Sequence, residues 1–205
     1  MDGSMQRRGF LGIAAALALT ALPASAEPIP LDSISAYFNA LTTLQARFVQ
    51  TNSDGTQSLG TLYIRRPGNA RFEYDPPQEA LVLAGGGELA IFDNQSNTGR
   101  PEQYPLRRTP LNVILERNVD LANRDAILEH RGTPESTVVI AHDPQNPELG
   151  QIGLIFADAP LRLTEWRTQD ASGATTRVVL SELRTGHQIS ARLFSIPQEI
   201  EARSR

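Results

Sequence analysis

Apolar and polar residues alternate through most of this chain, and this two-residue period limits the possible fold more than any other feature. In residues 60–66 it places Leu62, Ile64 and Arg66 on one face of a strand. Further segments with strand character cover residues 70–74, 81–84, 88–92, 137–141, 151–156, 161–169 and 175–183. Short strands joined by turns at this spacing predict an antiparallel sheet of many strands.

Two segments predict helices. Residues 31–44 carry apolar side chains at steps of three and four, which makes one apolar face, and Asp32 and Ser33 are candidate caps. Residues 109–116 predict a short helix with Pro110 near its first turn. Since both helices must lie on the sheet, the sequence predicts the α+β class, dominated by antiparallel β-structure.

The first 26 residues have the composition of a cleavable export signal. Arg7-Arg8 supplies a positive start, residues 10–22 are apolar, and Ala-Ser-Ala at 24–26 places a cleavage site before Glu27. The apolar stretch is shorter than the roughly 20 residues that span a bilayer. We therefore expect a periplasmic protein in which residues 27–205 form a single domain.

The export route has two interpretations. Residues 7–11, Arg-Arg-Gly-Phe-Leu, resemble a twin-arginine signal, which exports proteins already folded. The alternative is an ordinary positive start that happens to carry two arginines. Residues 1–4 precede a second plausible start at Met5 and are left out of the fold reasoning.

Cysteine content and net charge exclude several classes of protein. The chain has no cysteine, so in an oxidising compartment it must hold together by packing alone. For the same reason it lacks the lipid-modified cysteine of an anchored lipoprotein, which indicates a soluble mature protein. The formal net charge of −4 disfavours nucleic-acid binding, because phosphate affinity needs clustered positive charge.

No arrangement of residues points to an enzyme. The three histidines, His130, His142 and His187, lie in separate polar segments without metal-site spacing, and we interpret them as surface residues. Gly-Gly-Gly at 85–87 lacks the following Lys-Ser/Thr of a phosphate loop, so a hairpin turn is predicted there. We predict no catalytic residue, no metal and no cofactor.

Five segments resemble, in order along the chain, the periplasmic outer-membrane lipoprotein carrier family (LolA-like). Residues 60–77, Gly-Thr-Leu-Tyr-Ile-Arg-Arg-Pro-Gly-Asn-Ala-Arg-Phe-Glu-Tyr-Asp-Pro-Pro, match its strand ending in Arg-Pro and the aromatic strand after it. Residues 44–50 resemble its Ala-x-Phe-x-Gln motif, residues 83–92 its hairpin, and residues 109–111 the start of its mid-chain helix. Residues 194–197, Phe-Ser-Ile-Pro, resemble its closing strand.

The resemblance implies a fold and a function. The expected fold is an unclosed (half) β-barrel whose hydrophobic cavity is covered by helices. The expected function is to shield lipoprotein acyl chains between an inner-membrane ABC transporter and a lipid-anchored outer-membrane receptor. A monomer is expected, because such a carrier presents its mouth to two partners in turn. The alternatives are a carrier or sensor of another lipid on the same fold, and a secreted hydrolase.

The same resemblance implies roles for individual residues. Arg66 is expected to be a latch that bonds the backbone of the lid in the closed state; the alternative is an arginine at a strand end that reaches solvent. The lid helix is expected to present Ile34, Tyr37, Phe38 and Leu41. The expected lipid-binding lining, for which ordinary core packing is the alternative, consists of Leu62, Ile64, Phe72, Tyr74, Leu83, Leu89 and Ile91.

Overall fold

One antiparallel sheet of eleven strands dominates the molecule. The computed structural model describes residues 27–93, 100–122, 125–144 and 146–204, so the export signal expected over residues 1–26 lies outside the described residues. The strands are β1 (Thr43–Asn52), β2 (Gln57–Arg65), β3 (Asn69–Tyr74), β4 (Leu81–Gly85), β5 (Glu88–Phe92), β6 (Glu102–Pro105), β7 (Ile127–Gly132), β8 (Ser136–His142), β9 (Gln151–Asp158), β10 (Leu161–Gln169) and β11 (Thr175–Thr185).

The strand order leaves the sheet open. It runs β6-β5-β4-β3-β2-β1-β11-β10-β9-β8-β7, so β6 and β7 are edge strands that do not pair with each other. Within the described ranges, no helix combines the length and apolar character needed to cross a membrane. The predicted class, mostly antiparallel β-structure in an unclosed sheet with few helices, is confirmed.

The sheet is tightly rolled. Phe72 on β3 and Trp166 on β10 are separated by three intervening strands. In a flat sheet, four steps of about 4.8 Å would hold them roughly 19 Å apart. Their ring centroids are 6.0 Å apart, in an edge-to-face contact. The sheet therefore has an inner face, on which side chains from distant strands meet, and an outer face.

A glycine makes room for the aromatic packing on the inner face. Gly60 on β2 pairs with Phe48 on β1 and with Tyr74 on β3. A Cβ atom at Gly60 would lie 2.5 Å from the Phe48 ring and 2.2 Å from the carbonyl oxygen of Glu73. Because Gly60 has no side chain, the Phe48 ring packs directly over the β2 backbone and contacts the rings of Phe72 and Tyr74.

The first helix, α1 (Leu31–Ala40), lies against the inner face and is shorter than predicted. Its N-cap is Pro30, whose carbonyl oxygen accepts from the amides of Ser33 and Ile34, so the expectation that Asp32 and Ser33 cap the helix is wrong. Leu41 is extended, and Leu44 already belongs to β1. Leu44 fitted the helical period because the strand also buries it, on the same side as the helix.

The second helix, α2 (Asn112–Leu115), confirms the predicted short mid-chain helix with tighter bounds. A 3₁₀ turn at Leu106–Arg108 precedes it. The side chains of Val113, Ile114 and Leu115 are all buried, so a single helical turn packs three consecutive apolar residues. Such a short segment is held by its packing and not by intrinsic helix stability.

The chain ends in a helix where a closing strand was expected. A 3₁₀ turn at Ala191–Phe194 leads into α3 (Ile196–Arg203), so the expectation of a strand over residues 194–197 is wrong. The Ser195 side chain accepts from the amide of Gln198, and Pro197 lies in the first turn, where proline is tolerated.

This helix covers an apolar cluster on the outer face, here called the outer cluster. Its buried members are Leu81, Leu83, Ala90, Phe92, Ile189, Phe194 and Ile196. Gly85 permits the close approach of the chain there, because a Cβ atom would lie 2.1 Å from the carbonyl oxygen of Phe194.

Candidate functional site

The inner face and the two helices above it enclose one large apolar cluster, here called the inner cluster. On the helix side, Ile34 and Phe38 of α1 are at most 1 % exposed. Phe38 and Tyr37 both contact Phe156 on β9 in edge-to-face arrangements, with centroids 5.8 and 6.1 Å apart. In the described part of the chain, the expected hollow is thus occupied by the protein's own side chains.

Most of the residues expected to line the cavity face this cluster. Leu62, Ile64, Phe72 and Leu89 are buried members of it, and Tyr74 packs against it. Of the lid residues, Ile34 and Phe38 are buried in it, and Tyr37 and Leu41 pack against it from α1 and its C-cap.

The two remaining lining residues lie on different faces. Ile91 pairs with Val82, whose side chain packs on the inner cluster, so Ile91 is on the inner face. Leu83 pairs with Ala90 and belongs to the outer cluster, so its assignment to the inner lining is wrong. Residues 81–84 are apolar at every position, and alternation therefore cannot assign their faces.

Tyr74 brings a hydroxyl group into this apolar region. Its hydroxyl donates to Oε1 of Gln50 on β1 at 2.7 Å. Burial raises the pKa of Tyr74 to about 12, although the hydrogen bond with Gln50 acts in the opposite direction. The phenol is therefore neutral at physiological pH, and its polar atom is paired without placing a charge in the interior.

Arg66 follows the last residue of β2 and reaches the end of α2. Its Nη2 donates to the carbonyl oxygen of Glu116 at 2.6 Å, and its amide donates to the carbonyl oxygen of Thr42 at 2.8 Å. The guanidinium is partly buried, which lowers the pKa of Arg66, while the nearby Glu116 charge raises it. Its Nε is buried without a hydrogen-bond partner in the described part of the chain.

A second hydrogen bond fastens the same place. The amide of Gly68, in the β2–β3 turn, donates to the carbonyl oxygen of Leu115 at 2.8 Å. Together with the Arg66 bond, it ties the C-terminal end of α2 to the sheet. The backbone that Arg66 contacts thus belongs to α2 and not to α1, which carries the predicted lid residues.

Sequence reasoning missed a clasp between α1 and the segment after α2. The Asn39 side chain donates to the carbonyl oxygen of Val119 at 2.8 Å and accepts from the Val119 amide at 2.9 Å. One helical turn earlier, Ser35 Oγ accepts from the amide of Leu121 at 2.9 Å. Ser35 and Asn39 are polar residues four positions apart, so they lie on the same side of α1, beside its apolar stripe. This spacing is the one sequence signal that could have identified them.

The N-terminal approach to α1 is bonded to the sheet near its β7 edge. The amide of Ile29 donates to Oγ1 of Thr137 at 2.8 Å, and its carbonyl oxygen lies 2.9 Å from Nε2 of His130. His130, interpreted as a surface residue, is partly buried and fixes this segment. On α1 itself, the Tyr37 hydroxyl accepts from the amide of Leu163 on β10 at 3.2 Å. Within the described residues, no group of three or more His, Cys, Asp or Glu could hold a metal ion.

The fold defines a structural class: an unclosed, rolled antiparallel sheet with helices over its apolar inner face. The model of the outer membrane lipoprotein carrier protein LolA family matches residues 39–197, and the chain belongs to that family.

Two relatives are described as outer-membrane lipoprotein carrier proteins. The chain is 27 % identical to an outer-membrane lipoprotein carrier protein of Methylococcus capsulatus, over 82 % of this chain and 84 % of that one. It is 25 % identical to one of Cupriavidus taiwanensis, over 93 % and 94 % of the two chains. A solved structure of a putative outer membrane lipoprotein-sorting protein domain from Vibrio parahaemolyticus is 11 % identical, with a TM-score of 0.49, over 83 % of this chain and 97 % of that one.

Proposed function

We propose that this protein is a periplasmic carrier that takes lipoproteins from an inner-membrane ABC transporter to a lipid-anchored outer-membrane receptor. Membership of the LolA family supports the carrier function. The composition of residues 1–26 supports export, and the absence of cysteine supports the soluble carrier over an anchored receptor. A carrier that serves two membranes in turn is expected to act as a monomer.

The energetics of acyl chains explain why such a carrier needs a large apolar face. Burying a chain of about 15 methylene groups is worth on the order of 12 kcal/mol, at about 0.8 kcal/mol per methylene. A lipoprotein therefore does not leave a membrane for water unless a protein offers comparable apolar surface. The side chains that could supply this surface are those of the inner cluster, which the lid hides when no cargo is bound.

The polar contacts of the lid are ones that a cargo chain can outweigh, and its apolar contacts with the inner cluster are of the same kind that a cargo chain would make. The polar contacts of α1 and α2 are a small number of hydrogen bonds, each with a net contribution of about 1 kcal/mol. One acyl chain offers several times that amount in burial. We therefore assign the structure to the closed state, and we expect cargo to enter the inner cluster as α1 and α2 move away.

The observation that carries this proposal is an apolar inner face covered by helices whose end is fastened by Arg66. Its hydrogen bond to the Glu116 carbonyl oxygen joins sheet and lid. Arg66 therefore favours the closed state and helps to expel cargo at the receptor. Neutral substitution removes this bond and leaves the lipid-bound state preferred.

The test is lipoprotein transfer by an Arg66→Leu variant. We expect the variant to accept acylated protein normally and to release it to receptor-bearing vesicles about tenfold more slowly than wild type, which corresponds to about 1.4 kcal/mol. Arg65→Leu is the matched control, because Arg65 is its exposed neighbour. Release by Arg66→Leu at the wild-type rate would remove Arg66 from the mechanism.

The nature of the cargo has its own test. Protein purified from the periplasm in the lipid-bound form is analysed by mass spectrometry. Acylated protein is the expected ligand. Free phospholipid or glycolipid alone would replace the lipoprotein carrier with a carrier of another lipid.

A further inference from the structure

A groove of about 760 Å³ lies where α2 and the turn before it meet the ends of β8 and β9. This volume is in the range of small-molecule binding sites. Its inner wall includes Val113 of α2, Ala141 of β8 and Ile152 of β9, which are all buried members of the inner cluster. The groove thus lies directly outside the seam between lid and sheet, one layer of side chains away from the interior.

The outer rim of this groove carries hydrogen-bond donors that have no partner among the described residues. Arg107 and Arg108 are exposed, and within the described ranges neither side chain makes a hydrogen bond or an ion pair. The side chains of Asn112 and His142, which are partly buried and also line the groove, make no hydrogen bond within the described ranges either. Groups that can donate here therefore face an apolar wall across the same space.

The charges of the groove indicate which acceptor fits. Its two arginines are accompanied by three carboxylates, those of Glu116, Asp125 and Asp143. An excess of carboxylates disfavours an anion such as a phosphate group. Neutral carbonyl oxygens, which only accept hydrogen bonds, suit unpaired donors in a groove with no net positive charge.

We propose that this groove binds the carbonyl-bearing end of a lipidated N-terminal cysteine, meaning its glyceryl ester groups and first peptide bonds. The acyl chains then pass between Val113 and Ile152 into the inner cluster. Arg107 and Arg108 donate to the ester carbonyl oxygens and hold the polar end at the seam. This assignment rests on the proposed carrier function and adds the site and orientation of the cargo's polar end.

The experiment compares two synthetic lipopeptides in the full mature protein. Both carry two C16 chains on a glyceryl-cysteinyl tetrapeptide, joined by ester groups in one and by ether groups in the other. Binding is measured by displacement of an apolar fluorophore. We expect the double variant Arg107→Gln/Arg108→Gln to bind the diester about tenfold more weakly than wild type, and the diether with unchanged affinity, because its ether linkages lack the ester carbonyl oxygens.

A matched control has the same change of charge away from the groove. Arg162 and Arg184 are exposed and do not line it. Arg162→Gln/Arg184→Gln should bind both lipopeptides as wild type does. All four replaced arginines are exposed, so thermal unfolding of both variants should coincide with that of wild type.

Each other outcome overturns a different statement. Equal losses for diester and diether, or no loss for either, would show that Arg107 and Arg108 do not bind the ester carbonyl groups. A larger loss for dipalmitoyl phosphatidylglycerol than for the diester would make the groove a phosphate site. If wild type bound neither lipopeptide, the carrier function itself would be wrong.

Discussion

Helices cover an apolar cluster on each face of the sheet, but the two covers are held in different ways. On the outer face, an ion pair joins α3 to β3: Glu199 lies 2.9 Å from Arg71. Within the helix, Arg203 lies 2.8 Å from the same carboxylate group. The Arg203 guanidinium also lies 5.0 Å from the centre of the Phe92 ring. On the inner face, Asn39 and Arg66 bond main-chain atoms, and only Arg66 is charged.

This difference predicts that one cover stays in place and that the other moves. The outer cover combines apolar burial with charges that attract each other over a range of distances, so small displacements keep much of the attraction. The inner cover also buries apolar side chains, but its polar contacts are mainly hydrogen bonds, which weaken steeply when their geometry changes. We therefore expect the inner cover to open as a unit, while α3 stays in place.

The largest effect should come from removing one aromatic ring from each cluster. Phe38 is 1 % exposed in the inner cluster, and Phe92 is 4 % exposed in the outer one. Replacing either with Ala should lower the free energy of unfolding by about 3–5 kcal/mol, measured by urea denaturation. A single-chain detergent below its micelle concentration should restore much of the stability of Phe38→Ala, because its chain fills the space left in the inner cluster. Equal rescue of Phe92→Ala would contradict the distinction between the clusters.

A smaller effect is expected from the clasp at Asn39. Val119 is 2 % exposed, so Asn39→Ala leaves a buried amide and a buried carbonyl oxygen without their partner. We expect a loss of about 2–3 kcal/mol in the free energy of unfolding. Hydrogen exchange of the Val119 amide should also accelerate.

The matched variant for the clasp is Asn39→Asp, which keeps the acceptor oxygen and loses the donor. It should retain slow exchange at the Val119 amide and recover part of the stability. If both variants exchange as slowly as wild type, the clasp does not control opening.

The smallest effect is expected at the outer cover. Burial raises the pKa of Glu199. Hydrogen bonds from Arg203 and Arg71 lower this pKa by more than burial raises it, so the net shift is downward. A carboxylate with a lowered folded-state pKa stabilises the protein above its ordinary pKa and loses this effect as the pH falls through the lowered value. Glu199→Gln should therefore reduce stability by less than about 1 kcal/mol at pH 7.

The dependence of this loss on conditions sharpens the comparison. The difference between wild type and Glu199→Gln should shrink in 1 M salt and below pH 4, since both conditions remove the ion pairs. The loss caused by Asn39→Ala should be the same at low and high salt, because no charge is involved. Urea denaturation of both variants at two salt concentrations checks this, and a salt-dependent Asn39→Ala loss would contradict it.

Most strands with a buried face were predicted from the sequence, whereas β1 and the edge strands β6 and β7 were not. Strands such as β2 and β3 are buried on one face, so their alternation was visible. The edge strand β6 is mostly exposed, and β7 is only partly buried, so neither shows a clear period. Helix α3 was missed because its turns carry ion-pairing residues and little apolar surface.

The site was predictable to a similar extent. Apolar lining and lid residues could be chosen from their periods, and Leu83 failed where the period was lost. The contacts of Asn39 with Val119 and of Arg66 with Glu116 join residues 80 and 50 positions apart. In both contacts the acceptor is a main-chain carbonyl oxygen. Every residue has such an oxygen, so the sequence does not indicate which residue is the partner.

The unpaired edges at β6 and β7 give the molecule an adjustable capacity. A closed cylinder of strands enlarges only by breaking the ladder between two of them. Here we expect that the curl of the sheet can relax with every strand-to-strand hydrogen bond intact, because β6 and β7 do not pair with each other. We therefore expect the volume enclosed by the sheet to depend on its curvature and to grow as the sheet uncurls.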